Sequence, residues 1–378
     1  MKEMEEWKFF NIKVWILLFL ISFLLIYKQA CSKVSGHCSD CHTMHCSQSG
    51  QPLSIEYPGG AIATNPFPAL TKGDCIFCHS DKSGISNVPI VVSSSEPTYI
   101  FGTTDNVTAG GDFWWVATWG NNSDSKGHDV KGIALESYKE PPGWDSSYDS
   151  RRSDADWGSN QLTCSGKYGC HGNPSEVNPV KAILGAHHGH NSTSCDGSTL
   201  AKSYRFLLGI KGTEDPDWEK DWSASDHNGY YAVDLYNQSV NRPGSNSGSI
   251  NYLCGECHGK FHWETANNTY ASPWLRHPTD IDMNNVSNKE YGNYPGLFNG
   301  TVGGVKNYFP EVPVGNKDGA VLSQVLTGSG ADDAIVLCVS CHRAHATPYD
   351  SILRWDYKRW PGISDNQNGC LACHTTKY

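Results

Sequence analysis

Residues 338–345 read C-V-S-C-H-R-A-H, and their types and spacing specify one chemistry. Two thiols three positions apart, Cys338 and Cys341, can each bond one vinyl group of a porphyrin. The adjacent His342 then presents its imidazole to the iron, as in the attachment of a c-type haem. A helical turn carries His345 to the same face, within reach of a second, neighbouring haem. The same octapeptide design stands near the start of the chain at Cys38, Cys41, His42 and His45. Its five-residue core recurs at Cys75/Cys78/His79, Cys254/Cys257/His258 and Cys370/Cys373/His374. A sixth site is stretched: Cys164 and Cys170 enclose five residues before His171, with Gly166 and Gly169 available to let the backbone loop out.

Each C-x-x-C pair taken alone also fits half of a zinc site or a thioredoxin-like redox motif. Neither of those needs a histidine directly after the second cysteine. Disulfide scaffolds give no reason for it either. Five regular copies and one expanded copy therefore predict six covalently attached haems c.

The chain contains 16 His, and six are spent as proximal ligands. The others are His37, His45, His128, His187, His188, His190, His227, His262, His277 and His345. Of the 4 Met, only Met44 and Met283 lie outside the N-terminal segment, so bis-His coordination is favoured over His/Met. Such irons have low reduction potentials and no open position for substrate. His45 and His345 rank first as distal ligands by motif spacing. His128, isolated in a Gly-flanked stretch, and His277, fixed by Pro278, follow. The adjacent His187 and His188 either feed two haems or include a bystander. An ordinary hydrogen-bonding role is as good an account of His262, His227, His190 and His37.

The elements that must position these groups are sparse. Hydrophobic residues make up only 38% of the 378 residues, and Gly, Ser, Asn, Asp and Pro crowd the intervals between motifs. Flat apolar porphyrins would supply the missing core, packed by some of the 13 Trp and 18 Tyr. The expected fold is mostly irregular and loop-rich, with short helices and a few short strands organised around a chain of haems. Residues 88–120 alternate β-branched and aromatic residues and predict short strands or a long hairpin. Residues 143–160 read as irregular and 182–190 as a short helix end carrying three imidazoles. Residues 203–211 are apolar enough to pack inside, and 331–346 predict a helix around the fifth site. No solenoid repeat is visible, although the second to fifth sites are spaced at similar intervals.

Residues 14–27 form an apolar run that fits the core of a signal peptide better than a membrane span of about 20 residues. Residues 1–30 are thus a signal peptide or membrane anchor, and 31–378 a haem domain. Either way the chain is exported, to the periplasm or the cell surface. Cys31, Cys46 and Cys195 remain outside the motifs. Cys46 and Cys195 can pair in an oxidising compartment, with Cys31 lost on processing or lipidated. A formal charge of −10, before any haem propionates, argues against nucleic acid as a partner. It fits basic surfaces on other redox proteins, metal cations or minerals.

The stretches C-S-D-C-H-T-M-H-C-S-Q (38–48), L-T-C-S-G-K-Y-G-C-H (162–171) and C-V-S-C-H-R-A-H (338–345) resemble the multihaem c-type cytochromes with doubled C-x-x-C-H motifs of anaerobic metal-reducing bacteria. Six sites in one chain are also similar to the hexahaem, loop-rich outer-surface cytochromes that polymerise into conductive filaments. The resemblance implies electron relay to an external acceptor, with further copies of the chain as partners. The stretched third site and Cys46 depart from that pattern. The alternative is an enzyme converting a small nitrogen or sulfur oxyanion. Such an enzyme needs an exchangeable iron position, often marked by Lys in place of the motif His, and no C-x-x-C-K occurs here.

Overall fold

The computed structural model describes residues 36–45, 47–48, 51–52, 55–56, 61–62, 65–104, 107–148, 150–235, 247–262, 279–286, 290–296, 306–359 and 368–374. Regular elements are short, as expected of a chain with 38 Gly and 19 Pro. The helices are α1 (Cys38–Cys41), α2 (Cys75–Cys78), α3 (Pro179–Ala182) and α4 (Ile250–His258). Two 3-10 turns, Cys338–Ser340 and Gly369–Ala372, hold the fifth and sixth motifs. Short polar side chains start several of these turns by accepting an otherwise unpaired N–H. Asp74 Oδ1 accepts from Phe77 N at 2.8 Å, Ser249 Oγ from Tyr252 N at 3.1 Å, and Asn368 Oδ1 from Cys370 N at 3.1 Å. Among the described residues no helix is long and apolar enough to cross a membrane.

Strands of two or three residues pair locally. The third site is the exception to the helical motifs: Thr163–Ser165 pairs in parallel with Gly169–His171, in register Thr163 to Gly169 and Ser165 to His171. The intervening turn places Gly166 at φ +86°, a left-handed conformation that glycine adopts without penalty. The five enclosed residues thus form a strand-turn-strand in place of a helical turn.

Three apolar clusters lie beside the motifs. One gathers Ile76, Phe113, Trp115, Val116 and Ala346 and packs on Cys164. A second, with Phe101, Tyr294, Tyr308 and Trp355, packs on Cys341, Cys370 and Cys373. The third joins Tyr204, Ile210, Ile250, Leu337 and Val339. Tyr204, Leu207 and Ile210 are buried, as the apolarity of 203–211 predicts.

Two sequence expectations are corrected. Residues 88–120 make no hairpin; Val92 bridges Ser80, and Phe113–Trp115 is a 3-10 turn. Asp112 diverts this segment, accepting from Trp114 N at 2.8 Å and from Ser93 Oγ at 2.7 Å, so the aromatic bulk enters a core and not a ladder. Residues 331–346 are not a helix around the fifth site. Ile335–Val336 pairs antiparallel with Val314–Gly315, as β-branched residues favour, and only Cys338–Ser340 turns. The route to His345 is correspondingly different from a helical turn: after His342 the chain runs alongside Gly110 and Gly111, and His345 N donates to Gly110 O at 2.7 Å. That approach needs glycine, since a Cβ on Gly111 would sit 2.0 Å from Ala346 O.

Candidate haem sites

In four of the regular motifs the histidine N–H closes a helical turn onto the carbonyl of the first cysteine. His42 N donates to Cys38 O at 2.8 Å, His79 N to Cys75 O at 3.0 Å, His342 N to Cys338 O at 3.0 Å and His374 N to Cys370 O at 2.8 Å. The fourth motif lies inside α4. Thiols at i and i+3 therefore share a face, and the imidazole follows at the end of the turn. Burial pushes the Cys78, Cys257 and Cys341 thiols up to about 12. Among the described residues no group of three or more His, Cys, Asp or Glu converges to enclose a metal ion by itself.

Successive sites lie side by side. The Cys78 thiol feels Cys41, Cys164 hydrogen-bonds to Cys75, and Cys170 feels Cys254. Cys338 in turn hydrogen-bonds to Cys254, and Cys341 feels Cys370. The spatial order of the six motifs follows their order in sequence.

The histidines stand in pairs. Ring centroids are 5.9 Å apart for His42 and His188, 6.4 Å for His79 and His187, 6.5 Å for His171 and His345, and 6.3 Å for His128 and His258. A metal–imidazole bond is about 2 Å and the ring centroid lies about 1 Å beyond, so two rings across one metal stand about 6 Å apart. The pairs fit an iron between them. The adjacent His187 and His188 thus face different proximal rings.

Backbone carbonyls fix most of these rings through Nδ1 and leave Nε2 for the metal. The Nδ1 contacts are His42 to Ala69 O at 2.9 Å, His79 to Pro89 O at 3.1 Å and His171 to Arg205 O at 2.8 Å. His258 meets Pro142 O at 2.7 Å, His342 meets Ser351 O at 2.8 Å and His128 meets Ala344 O at 2.8 Å. His345 is held more loosely, 3.4 Å from Gly111 O, and stacks on Phe113. Burial lowers His187 and His258 to about 4 and His345 to about 3, and lowers His79, His128 and His171 as well. These rings are neutral, the form that ligates a metal.

Residues 331–378 match the doubled CXXCH motif family. Over 370 residues the chain is 26% identical to the C-type cytochrome OmcS of Geobacter sulfurreducens, spanning 85% of this chain and 79% of the relative. Along most of its length the chain is thus similar to a multihaem c-type cytochrome. Two solved structures, the Outer Membrane Cytochrome S filament and the OmcS nanowires of the same organism, share 21% identity with it at a TM-score of 0.45. Each match covers 86% of this chain and 85% of the other.

The remaining candidate residues of this chain fall out differently. His45 is exposed beside the first site, and His277 lies outside the described residues. His374 lies edge-on to Tyr291, ring centroids 5.6 Å apart. His227 is buried, stacked on Tyr308 at 3.7 Å, with both ring nitrogens facing carbonyls, those of Asn228 and Leu322. Cys195 is buried, its thiol 3.6 Å from Thr193 O and from Glu214 Oε1, whereas Cys31 and Cys46 lie outside the described residues.

Sequence reasoning missed the carbonyls that orient the rings, which no residue type announces. It also missed a buried ion cluster between the third and fourth sites. Arg152 Nε donates to Glu256 Oε2 at 2.6 Å, and its Nη1 donates to the carbonyls of Gly166 and Lys167 at 3.2 and 2.8 Å. Arg151 pairs with the other Glu256 oxygen. The expansion of the third motif thus supplies two carbonyls that tie it to the fourth. A carboxylate inside C-G-E-C-H was the available signal.

Proposed function

We propose that this cytochrome relays single electrons along six covalently attached haems with bis-His irons. The observation that carries the reading is the recurrence of imidazole pairs about 6 Å apart, with Nδ1 tied to a carbonyl and Nε2 left over. His42/His188, His79/His187, His171/His345 and His258/His128 serve the first four sites. His277, which lies outside the described residues, is the candidate to complete one of the two remaining sites, those of His342 and His374. Haem supplies the redox chemistry when bound; the chain's own part is spacing, ring orientation and insulation from water. Contact between thiols of successive sites supports haems packed closely enough for rapid transfer. With both axial positions filled, no iron is open to a substrate, which favours a carrier over an enzyme.

We further propose that residues 1–30 direct export and that 31–378 form one haem domain working at the cell surface in a filament of its own copies. Other redox proteins and metal or mineral acceptors are its partners. The exposed His45 favours contact between copies, because it offers an imidazole to another one. Electron paramagnetic resonance of the oxidised native protein, with negative-stain imaging of cell-surface fractions, tests both parts. Low-spin ferric signals and polymers are expected. A strong high-spin signal with rapid turnover of nitrite or hydroxylamine would remove the relay; a stable monomer with every iron already bis-His would remove the filament.

A further inference from the structure

Three of the proximal histidines are oriented by the same unusual backbone device. The carbonyls that meet His42, His171 and His342 belong to Ala69, Arg205 and Ser351, and all three residues are left-handed, at φ +60°, +48° and +60°. Each is followed by a second left-handed residue: Leu70 at +56°, Phe206 at +58° and Ile352 at +58°. The carbonyl of that second residue accepts from the residue just after the histidine. Thr43 N reaches Leu70 O at 2.8 Å, Gly172 N reaches Phe206 O at 2.8 Å, and Arg343 N reaches Ile352 O at 3.1 Å. The flanks match too, with Phe67, Ser203 and Tyr349 extended before the turns.

None of these six residues is Gly, Asn or Asp, the types that enter this region cheaply, and Ile352 is β-branched, the worst case. Entering the left-handed region costs such residues at least as much as one hydrogen bond returns, so local energetics do not select these turns. Their recurrence at one relation to a motif histidine does. Backbone strain concentrates where surrounding structure enforces it for a purpose. The second and fourth sites use another device, the carbonyls of Pro89 and Pro142. The remaining consecutive left-handed pair among the described residues is Trp218 and Glu219. Trp218 O accepts from Ala109 N at 2.9 Å, bracing the segment whose Gly110 O and Gly111 O meet His345.

We propose that the left-handed turns 68–70, 204–206 and 350–352 are positioning clamps that lock the proximal imidazoles of the first, third and fifth sites, alternating along the first four sites with the proline carbonyls that meet the second and fourth. The proposal rests on the relay reading, because it assigns these rings to iron. A carbonyl held against Nδ1 makes the imidazole a stronger donor and stabilises ferric iron, so the clamp lowers the potential of its haem.

Ser351 and Ala69 are exposed, so substitutions there act through the backbone. In the haem-loaded full chain, Ser351→Gly relieves the left-handed strain and Ser351→Val increases it; Ala69→Gly and Ala69→Val repeat the test at the first site. The glycine variants should resist denaturant better and keep every midpoint potential. Each valine variant should lose stability, raise the potential of one haem and alter one low-spin resonance. A purely structural turn would move stability alone, so valine variants with unchanged potentials and resonances overturn the proposal. Haem count by intact mass and the spectrum of the unmutated protein keep the two readings apart. Missing haem or high-spin iron in that protein defeats the relay itself, whereas normal haems that ignore the valine changes defeat only the clamp. If a valine variant does not accumulate, Ser351→Leu and Ala69→Leu, unbranched at Cβ and so less strained in the left-handed region, are read by the same rule: a raised potential at one haem supports the proposal and unchanged potentials overturn it.

Discussion

Replacing His128 isolates one axial ligand. Its ring lies 6.3 Å from that of His258, centroid to centroid, and its Nδ1 meets Ala344 O at 2.8 Å. In His128→Ala the fourth iron keeps His258 alone and becomes high-spin. About a sixth of the ferric signal should therefore move from low-spin to high-spin, and the other five irons should be unaffected. The protein side of the change is small, a loss of about 1 kcal/mol for one hydrogen bond on a half-buried ring. Added imidazole should restore the low-spin signal by entering the vacated space. His128→Met tests the same position in another way, because a thioether ligand raises the potential of a single haem. The control is His227→Ala, which removes a buried imidazole's hydrogen bond to a carbonyl and strips the Tyr308 ring of its stack. It should cost about 2–3 kcal/mol of stability and leave every iron low-spin. Resonance spectra of His128→Ala identical to the parent, or a high-spin signal in His227→Ala, would refute the pairing argument.

Other outcomes follow from particular contacts. Intact mass of the exported protein should exceed the polypeptide by six haems, and Cys164→Ser with Cys170→Ser should remove one; alkylation of both cysteines in the parent would delete the third site. Glu256→Gln leaves the buried Arg152 and the half-buried Arg151 without their carboxylate, and denaturant unfolding should register a loss of about 3–5 kcal/mol. Burial, with Asp217 alongside, pushes Asp215 up to about 7. The folded chain then holds a proton that the unfolded chain releases near pH 4, so this group's contribution to stability falls as pH rises from about 4 to about 7 and is flat above. Thermal melts of Asp215→Asn across that window should lack this part of the slope. Trp115→Ala empties the centre of the first apolar cluster and should cost about 3–5 kcal/mol.

The attachment chemistry was legible from residue spacing because it is local. Thiols at i and i+3 with an imidazole at i+4 belong to a single backbone turn, so Cys75, Cys78 and His79 carry their geometry with them. The loop-rich fold was legible for a related reason: a chain this full of Gly, Pro and polar residues cannot sustain long elements. Which distal imidazole stands opposite which proximal one was not legible. His188 opposite His42 and His345 opposite His171 join residues 146 and 174 positions apart, and no local propensity encodes such a meeting. The helix expected at 331–346 failed for the same cause, since Val314–Gly315, distant in sequence, claimed Ile335 and Val336 for a strand. Tertiary structure alone decided the left-handed turns at Ala69, Arg205 and Ser351. Their residue types argue against that conformation, and the turns stand where their carbonyls meet histidine rings 9, 27 and 34 positions away.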